Sequence, residues 1–479
     1  MNALKPKQWI ALVLGIAMAM YLVYSHLQYF GNVSFLGAVV VLEIIIASLW
    51  SYDQRFFALL IVAFAWAGMN VPLEGAWTGG RWAVLAAGTV VGLIIWLKAP
   101  RSPFGSIHLV AFFCISAAFV SATVSTYTQM SSFKALSLLL LFTYCMTGGR
   151  LAVLGREERF FNGLLLACEI IVYVTAVCYV GLRASIWGNP NSLGAAMSIG
   201  LFPVLLWGWL TSDGPVVRTR RLVALLLCTY LVFLSMARAG MISISLVTLI
   251  FCICLHQYKL LTRLVALLLL MIAIVGMVAP DTLKNTIGPM TDAVLYKGHK
   301  GEGLLGSRRT PWEKSIATIK EHPYFGTGYG TSPTGEDPGF GFGRFSSSAE
   351  TAREHGNSYM TITEWTGLLG VLPFAAIVAL TLKNIWKGCA WMNRTSDPRN
   401  YAIPVVMIVL SGLVHASFED WLFAVGSYTS VYFWFFAFVL ADLLPRADDA
   451  LFAGVRPRTS QFMRTRYEAG FPGHVLPNR

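Results

Sequence analysis

Residues 221–256 read RLVALLLCTYLVFLSMARAGMISISLVTLIFCICLH, two apolar runs separated only by a short break around Arg238. A spanning helix needs about 20 mostly apolar residues. Runs of that kind recur along the chain, near 9–26, 34–50, 55–72, 82–98, 105–124, 133–149, 160–180, 192–211, 221–236, 239–256 and 262–280. After a long polar stretch come 363–382, 400–417 and 421–444. The expected fold is therefore an all-α polytopic integral membrane protein with about 12–14 spans. Short breaks such as Ser51–Arg55 decide between the lower and the higher count. The composition agrees. Only 13% of the 479 residues are charged, against about 25% in soluble domains, and the mean hydropathy is +0.63. An ordinary soluble enzyme, a disordered chain and a collagen-like chain are excluded.

The net charge of +12 needs a membrane reading before a nucleic-acid one. With the N-terminus cytoplasmic, 23 of the 36 Lys and Arg residues fall on the cytoplasmic side and 4 on short outer loops: Arg81, Lys134, Arg183 and Arg238. The remaining 9 lie in the long polar segment. Cytoplasmic loops carry the excess of Lys and Arg, so this asymmetry supports the register and makes nucleic acid unnecessary as a partner. It places both termini in the cytoplasm and the long segment on the outer face. The expected organisation is an N-terminal bundle over 1–280, an outer loop over 281–362, C-terminal spans over 363–445 and a basic tail over 446–479. Lys5 and Lys7 precede the first apolar run, which has no small-residue cleavage site after it and reads as a retained span. The eight cysteines form no CxxC pair and no zinc spacing, and seven sit in apolar runs as small buried hydrophobes.

Within the long segment, Pro311 suits the first turn of a helix. Trp312, Ile316 and Ile319 recur at helical spacing, and Pro323 with the following glycines stops the helix. An amphipathic helix on the outer surface is expected, with Arg308 and Arg309 at its start. Arginines at a helix start build an anion site. Residues 339–348 (Gly-Phe-Gly-Phe-Gly-Arg-Phe-Ser-Ser-Ser) read as either a mobile lid or a plain surface loop.

No Walker motif, HExxH or nucleophile-elbow GxSxG is present, so ATP hydrolysis, zinc proteolysis and serine hydrolysis have no support. What remains is a set of outer-face cations and one histidine. Arg238, in Ser235-Met-Ala-Arg-Ala-Gly240, is either a snorkelling anchor or an anion ligand whose fork fits two phosphate oxygens. Arg308 and Arg309 are either headgroup contacts or anion ligands, and Arg183 is a weaker candidate of the same kind. Asn191, in Asn189-Pro-Asn-Ser-Leu-Gly194, reads as a helix N-cap. His355 can take a proton from a hydroxyl near pH 7, with Glu354 and Asn357 close enough to orient it. Few charges lie inside the spans, with Glu43 and Glu169 as exceptions, which speaks against a transporter.

The motif set resembles the bacterial O-antigen ligase family, together with the related O-antigen polymerases and protein O-oligosaccharyltransferases. The resemblance rests on Arg308-x-x-x-Trp312, then Glu321-His-Pro-Tyr-Phe-Gly-Thr-Gly328, His355-Gly-Asn357-Ser-Tyr359, Ser235-Met-Ala-Arg238-Ala-Gly240, and Asn189-Pro-Asn191. It covers roughly 180–370 by motif and the rest by layout. Two departures are Ala237 where a serine is expected, and a helix start of Ser-Arg-Arg instead of Gly-Arg. Spacing to Trp312 favours Arg308.

The resemblance implies a GT-C-like, inverting and metal-independent glycosyltransferase of lipopolysaccharide biosynthesis in the bacterial inner membrane, with no cofactor. It would move O-antigen from undecaprenyl diphosphate to the lipid A-core on the periplasmic face. Carried over by position, Arg238 and Arg308 hold the diphosphate, with Arg183 and Arg309 as second candidates. His355 is the general base or positions the acceptor, supported by Asn191, Trp312, Asn357 and Tyr359. A polymerase, a protein-glycosylating enzyme and a lipid-linked glycan transporter are the alternatives.

Overall fold

The computed structural model describes residues 55–70, 74–98, 104–263, 265–266, 306–332 and 355–444. The apolar runs expected at 9–26 and 34–50, most of the run at 262–280, the segment 339–348, Glu354 and the basic tail lie outside the described residues. The remaining expected spans are helices. They are α1 (Arg55–Trp66), α2 (Glu74–Lys98), α3 (Ser106–Thr123), α4 (Thr128–Val153), α5 (Glu157–Gly181), α6 (Pro190–Leu210), α7 (Pro215–Leu234) and α8 (Arg238–Cys254). After them come α9 (Gly306–Glu321), α10 (Ser358–Thr395), α11 (Ala402–Ala416) and α12 (Tyr428–Leu443). The described residues contain no strand, and six helices are long and apolar enough to cross a membrane. The protein is an all-α polytopic membrane protein.

Burial separates two kinds of helix. Along α12 every residue from Thr429 to Leu440 is buried, and α11 is buried from Ala402 to Leu413. A helix that is apolar on all sides belongs at the centre of a bundle. The outer helices instead expose apolar rows at helical spacing, such as Leu109, Phe112 and Phe113 on α3, and Leu166, Ile170 and Val174 on α5. Exposed rows of this kind suit contact with lipid and would be costly in water.

Several charges lie within the helices, Glu169 as the sequence leads one to expect. Arg150 is inside α4 and 2% exposed, and Asp442 of α12 takes it through two hydrogen bonds of 2.6 Å. Glu169 of α5 is buried against Arg220 and Arg221. Glu364 is fully buried in α10. Each is paired, as the low dielectric of the interior demands.

Helix α10 is much longer than the run expected over 363–382. Its 38 residues would extend about 57 Å, well beyond a hydrocarbon core of about 30 Å. It is broken at Gly367, whose φ of 67° and ψ of −177° are non-helical. The turn that follows α9 closes this break. The N–H groups of Thr327 and Gly328 donate to the carbonyls of Glu364 and Trp365, and those of Leu368 and Leu369 donate to the carbonyls of Pro323 and Tyr324. Each such group would cost about 1–3 kcal/mol if buried and unpaired. Gly326 packs directly on the Glu364 and Trp365 carbonyls, where a Cβ has no space. The His-Pro-Tyr-Phe-Gly-Thr-Gly pattern is thus the complement of a broken helix.

Arg81 donates to the Gly426 carbonyl and Lys134 to the Gly330 carbonyl. The Asn70 side chain donates to the Ser185 carbonyl, two residues beyond Arg183. Three of the four cations assigned to outer loops therefore lie at one end of the bundle, with the 323–331 turn and the 417–427 loop. The fourth, Arg238, is at the same end, as described next.

Candidate functional site

The site is built where α9, the start of α10, the α11–α12 loop and the start of α8 meet. Helix α9 starts at Gly306, five residues before Pro311, so Arg308 lies in its first turn. The face turned inward carries Arg308, Trp312, Ser315 and Ile319, whereas Ile316, expected on that face, is 46% exposed. The inward spacing follows one side of a helix, and Ile316 falls a turn away from it.

Arg308 pairs with Glu419 at 2.5 Å. The Asn191 amide donates to the same Glu419 oxygen at 3.2 Å. Gly356 supports Arg308 from below: its φ is 65°, and a Cβ there would run into the Arg308 guanidinium. The glycine in the His-Gly-Asn motif thus serves two needs, a left-handed backbone and close passage of an arginine. Arg238 opens α8 and lies near enough to Arg308 for the two charges to repel. The motifs around Arg238 and Asn191 also touch, since Gly194 packs against Ala237 with no room for a side chain.

Asn191 is not the helix cap. Asn189 is, accepting from the Ser192 N–H at 2.8 Å, with Pro190 in the first turn. This frees the Asn191 side chain for Glu419. At α10, Asn357 is the cap, accepting from the N–H groups of Tyr359 and Met360 and donating to the Ser417 carbonyl. The Tyr359 hydroxyl donates to the Leu413 carbonyl. Both side chains fix the start of α10 to α11 and its following loop.

His355 is fully buried, with Trp365 edge-on at 6.0 Å. Its Nε2 lies 3.0 Å from Glu364 Oε1 and 3.2 Å from Ser332 Oγ, and the Ser332 hydroxyl donates to the same Glu364 oxygen at 3.0 Å. Its Nδ1 lies 3.4 Å from Asp420 Oδ2, and its backbone N–H donates to that oxygen at 2.9 Å. The orienting groups are thus Glu364, Ser332 and Asp420; Asn357, expected in that role, caps α10 instead. Burial alone would lower the imidazole pKa. The hydrogen bonds and charges of Asp420 and Glu364 outweigh burial and raise it above the ordinary histidine value. Burial would likewise raise the Asp420 carboxyl, but its hydrogen bonds and charge contact with His355 hold it below the ordinary aspartate value. Asp420 is the more accessible partner, with 30% of its side chain exposed against 1% for His355.

Residues 223–375 match the O-antigen ligase family model. The matched stretch runs from α7 into α10 and takes in Arg238, Arg308, Trp312, the turn that closes the helix break, and the His355–Tyr359 motif. The resemblance read from the motifs is borne out over this segment. No curated protein matches the chain.

Two expected site residues are not brought to the cluster. Arg309 pairs with Glu313 one turn on, with side chains 70% and 63% exposed. Arg183 is exposed, in a left-handed conformation beyond the end of α5. Four residues were missed: Ser332, Glu364, Glu419 and Asp420. Glu364 had a legible signal, being an acid two residues into an apolar run. Glu419 and Asp420 had only their position in a short loop between spans.

Proposed function

We propose that the chain is an O-antigen ligase that moves a glycan from undecaprenyl diphosphate to a sugar hydroxyl of the lipid A-core. The observation that carries this reading is the convergence of Arg308, held by Glu419 and Gly356, with Arg238 at one end of the bundle beside the buried His355. A diphosphate offers oxygens to both guanidinium forks. The excess of Lys and Arg on the opposite loops supports a periplasmic position for this end.

In the proposed reaction the acceptor oxygen attacks the anomeric carbon while the bond from that carbon to the diphosphate oxygen breaks. Undecaprenyl diphosphate leaves with the bonding pair, and the anomeric configuration inverts in this single displacement. Arg238 and Arg308 stabilise the charge that gathers on the leaving diphosphate. The proton of the acceptor hydroxyl passes to the His355–Asp420 pair. The Asp420 carboxylate is the edge of that pair open to an acceptor, and His355, fixed by Glu364 and Ser332, holds it in place. The leaving group is already activated, so no nucleotide is consumed.

The test uses purified protein, undecaprenyl-diphosphate-linked O-antigen and rough lipopolysaccharide, with EDTA and without nucleotide, read on a gel. A capped lipopolysaccharide ladder from the wild type, absent from Arg308→Ala and His355→Ala, is expected. Growth of glycan on the carrier lipid, with the lipopolysaccharide left rough, would make the protein a polymerase. Movement of lipid-linked glycan across vesicles with no transfer would make it a transporter.

A further inference from the structure

At the other end of the bundle, α3, α10 and α12 enclose a cavity of about 260 Å³. All three helices run there from the His355 end: Ser121 of α3 and the Gly367 break lie beside the 323–331 turn, and α12 starts beside the 417–427 loop. The cavity is lined by Gly105, Ser106 and His108 at the start of α3, by Lys383 and Lys387 of α10, and by Asp442 of α12.

Its chemistry favours an anion. In the first turn of α3 the Ser106 and Ile107 N–H groups have no helical partner, whereas the His108 N–H donates to the Gly105 carbonyl. His108 is 5% exposed, and its Nδ1 accepts from the Gly105 N–H at 3.0 Å. That bond fixes the proton on Nε2, which is buried and has no hydrogen-bond partner among the described residues. Lys383 and Lys387 stand one turn apart, where like charges repel, and form no ion pair among the described residues. The charge of Asp442 is taken up by Arg150, so the net charge facing the cavity comes from the lysines.

The surroundings favour a lipid. Trp386, between the two lysines in sequence, is 76% exposed, and Leu109 and Phe112 of α3 and Leu382 of α10 are exposed apolar residues of the helices that line the cavity. Exposed tryptophan beside lysine marks the level of headgroups. The volume is below the range of about 300–1,000 Å³ usual for whole small ligands. It suits a headgroup whose chains stay outside along α3 and α10.

We propose that this cavity binds the phosphodiester headgroup of an anionic phospholipid in the leaflet opposite the His355 site. The phosphate oxygens accept from the first N–H groups of α3, and Lys383 and Lys387 neutralise the charge. This site is independent of the transfer reaction, and its failure would leave the reading of the arginine site untouched.

The test uses the full chain in phosphatidylcholine nanodiscs containing a minor share of phosphatidylglycerol, with retained lipid counted by native mass spectrometry. The wild type is expected to retain phosphatidylglycerol over phosphatidylcholine. K383Q/K387Q is expected to weaken that retention about tenfold to thirtyfold, and K383R/K387R to keep it. Ser106→Asp adds a charge that favours a helix start but repels an anion, so it is expected to abolish retention without lowering the melting temperature. Equal retention by wild type, K383Q/K387Q and Ser106→Asp would overturn the site, as would equal retention of phosphatidylcholine. If millimolar inorganic phosphate displaced phosphatidylglycerol and stabilised the protein equally, the cavity would be a site for free anions and the lipid assignment would fall.

Discussion

Two arginine–carboxylate pairs sit at opposite ends of the same bundle. Arg150 and Asp442 meet through two bonds of 2.6 Å, with side chains 2% and 12% exposed. Arg308 and Glu419 meet at 2.5 Å, with side chains 12% and 16% exposed, and Glu419 is shared with Asn191 while Arg238 adds a second positive charge nearby. The first pair is balanced one to one, with Arg150 buried inside α4. The second is assembled from four separate elements and carries an extra cation. A pair whose charges cancel holds helices together. A pair with a second guanidinium near it has the groups that an anionic ligand would use.

The sharpest way to break this contrast is to remove each arginine. Arg150→Ala leaves Asp442 uncompensated between spans and is expected to cost about 3–5 kcal/mol of stability, seen as lost folded protein in a thermal melt. Arg308→Ala is expected to keep the fold and lower transfer about 10²- to 10³-fold, measured as initial rates of glycan capping. If Arg308→Ala proved the less stable of the two, the contrast would be wrong.

Gly356→Ala sharpens the second half. It puts a Cβ into the Arg308 guanidinium at a positive φ. The expected loss is about 1–3 kcal/mol in stability, with transfer reduced because Arg308 must move. A variant with full activity would show that Arg308 does not need this seat.

A pH series tests the His355–Asp420 contact. The raised His355 pKa contributes stability that is fully present below the unfolded histidine value and is lost as pH rises through the folded value. The lowered Asp420 pKa contributes stability that is present above the unfolded aspartate value and is lost as pH falls through the folded one. Stability from this contact is therefore greatest between the unfolded aspartate value and the unfolded histidine value. Asp420→Asn removes the largest raising influence on His355, so the alkaline loss is expected to move to lower pH in thermal melts.

The smallest effect belongs to Arg309. Its exposed pair with Glu313 predicts a change within about 1 kcal/mol for Arg309→Ala and nearly unchanged transfer rates. Next to Arg308 in sequence, it faces elsewhere in space.

Much of the fold was legible because its determinants are local. Apolar runs fixed the helices, and the Lys and Arg pattern put Arg81, Lys134 and Arg238 at one end, where their contacts and charge interactions place them. The site was legible where short motifs carry backbone demands. The glycines of 326–330 close a helix break, and Gly356 gives Arg308 its seat. The acids were not legible in this way. Glu419 meets Arg308 across 111 residues, and Ser332 meets Glu364 across 32. Such pairs depend on how helices pack, and no spacing rule along one helix finds them. Which of Asn189 and Asn191 caps α6 is settled by one backbone turn, which composition does not reveal.

The central claim is that Arg238 and Arg308 hold one ligand between them. A double-mutant cycle tests it most directly: binding of undecaprenyl diphosphate to wild type, Arg238→Ala, Arg308→Ala and the double variant. Shared contact predicts a coupling of about 0.5–3 kcal/mol between the two losses. Losses that add to within about 0.5 kcal/mol, or a single variant that binds as the wild type does, would contradict the account.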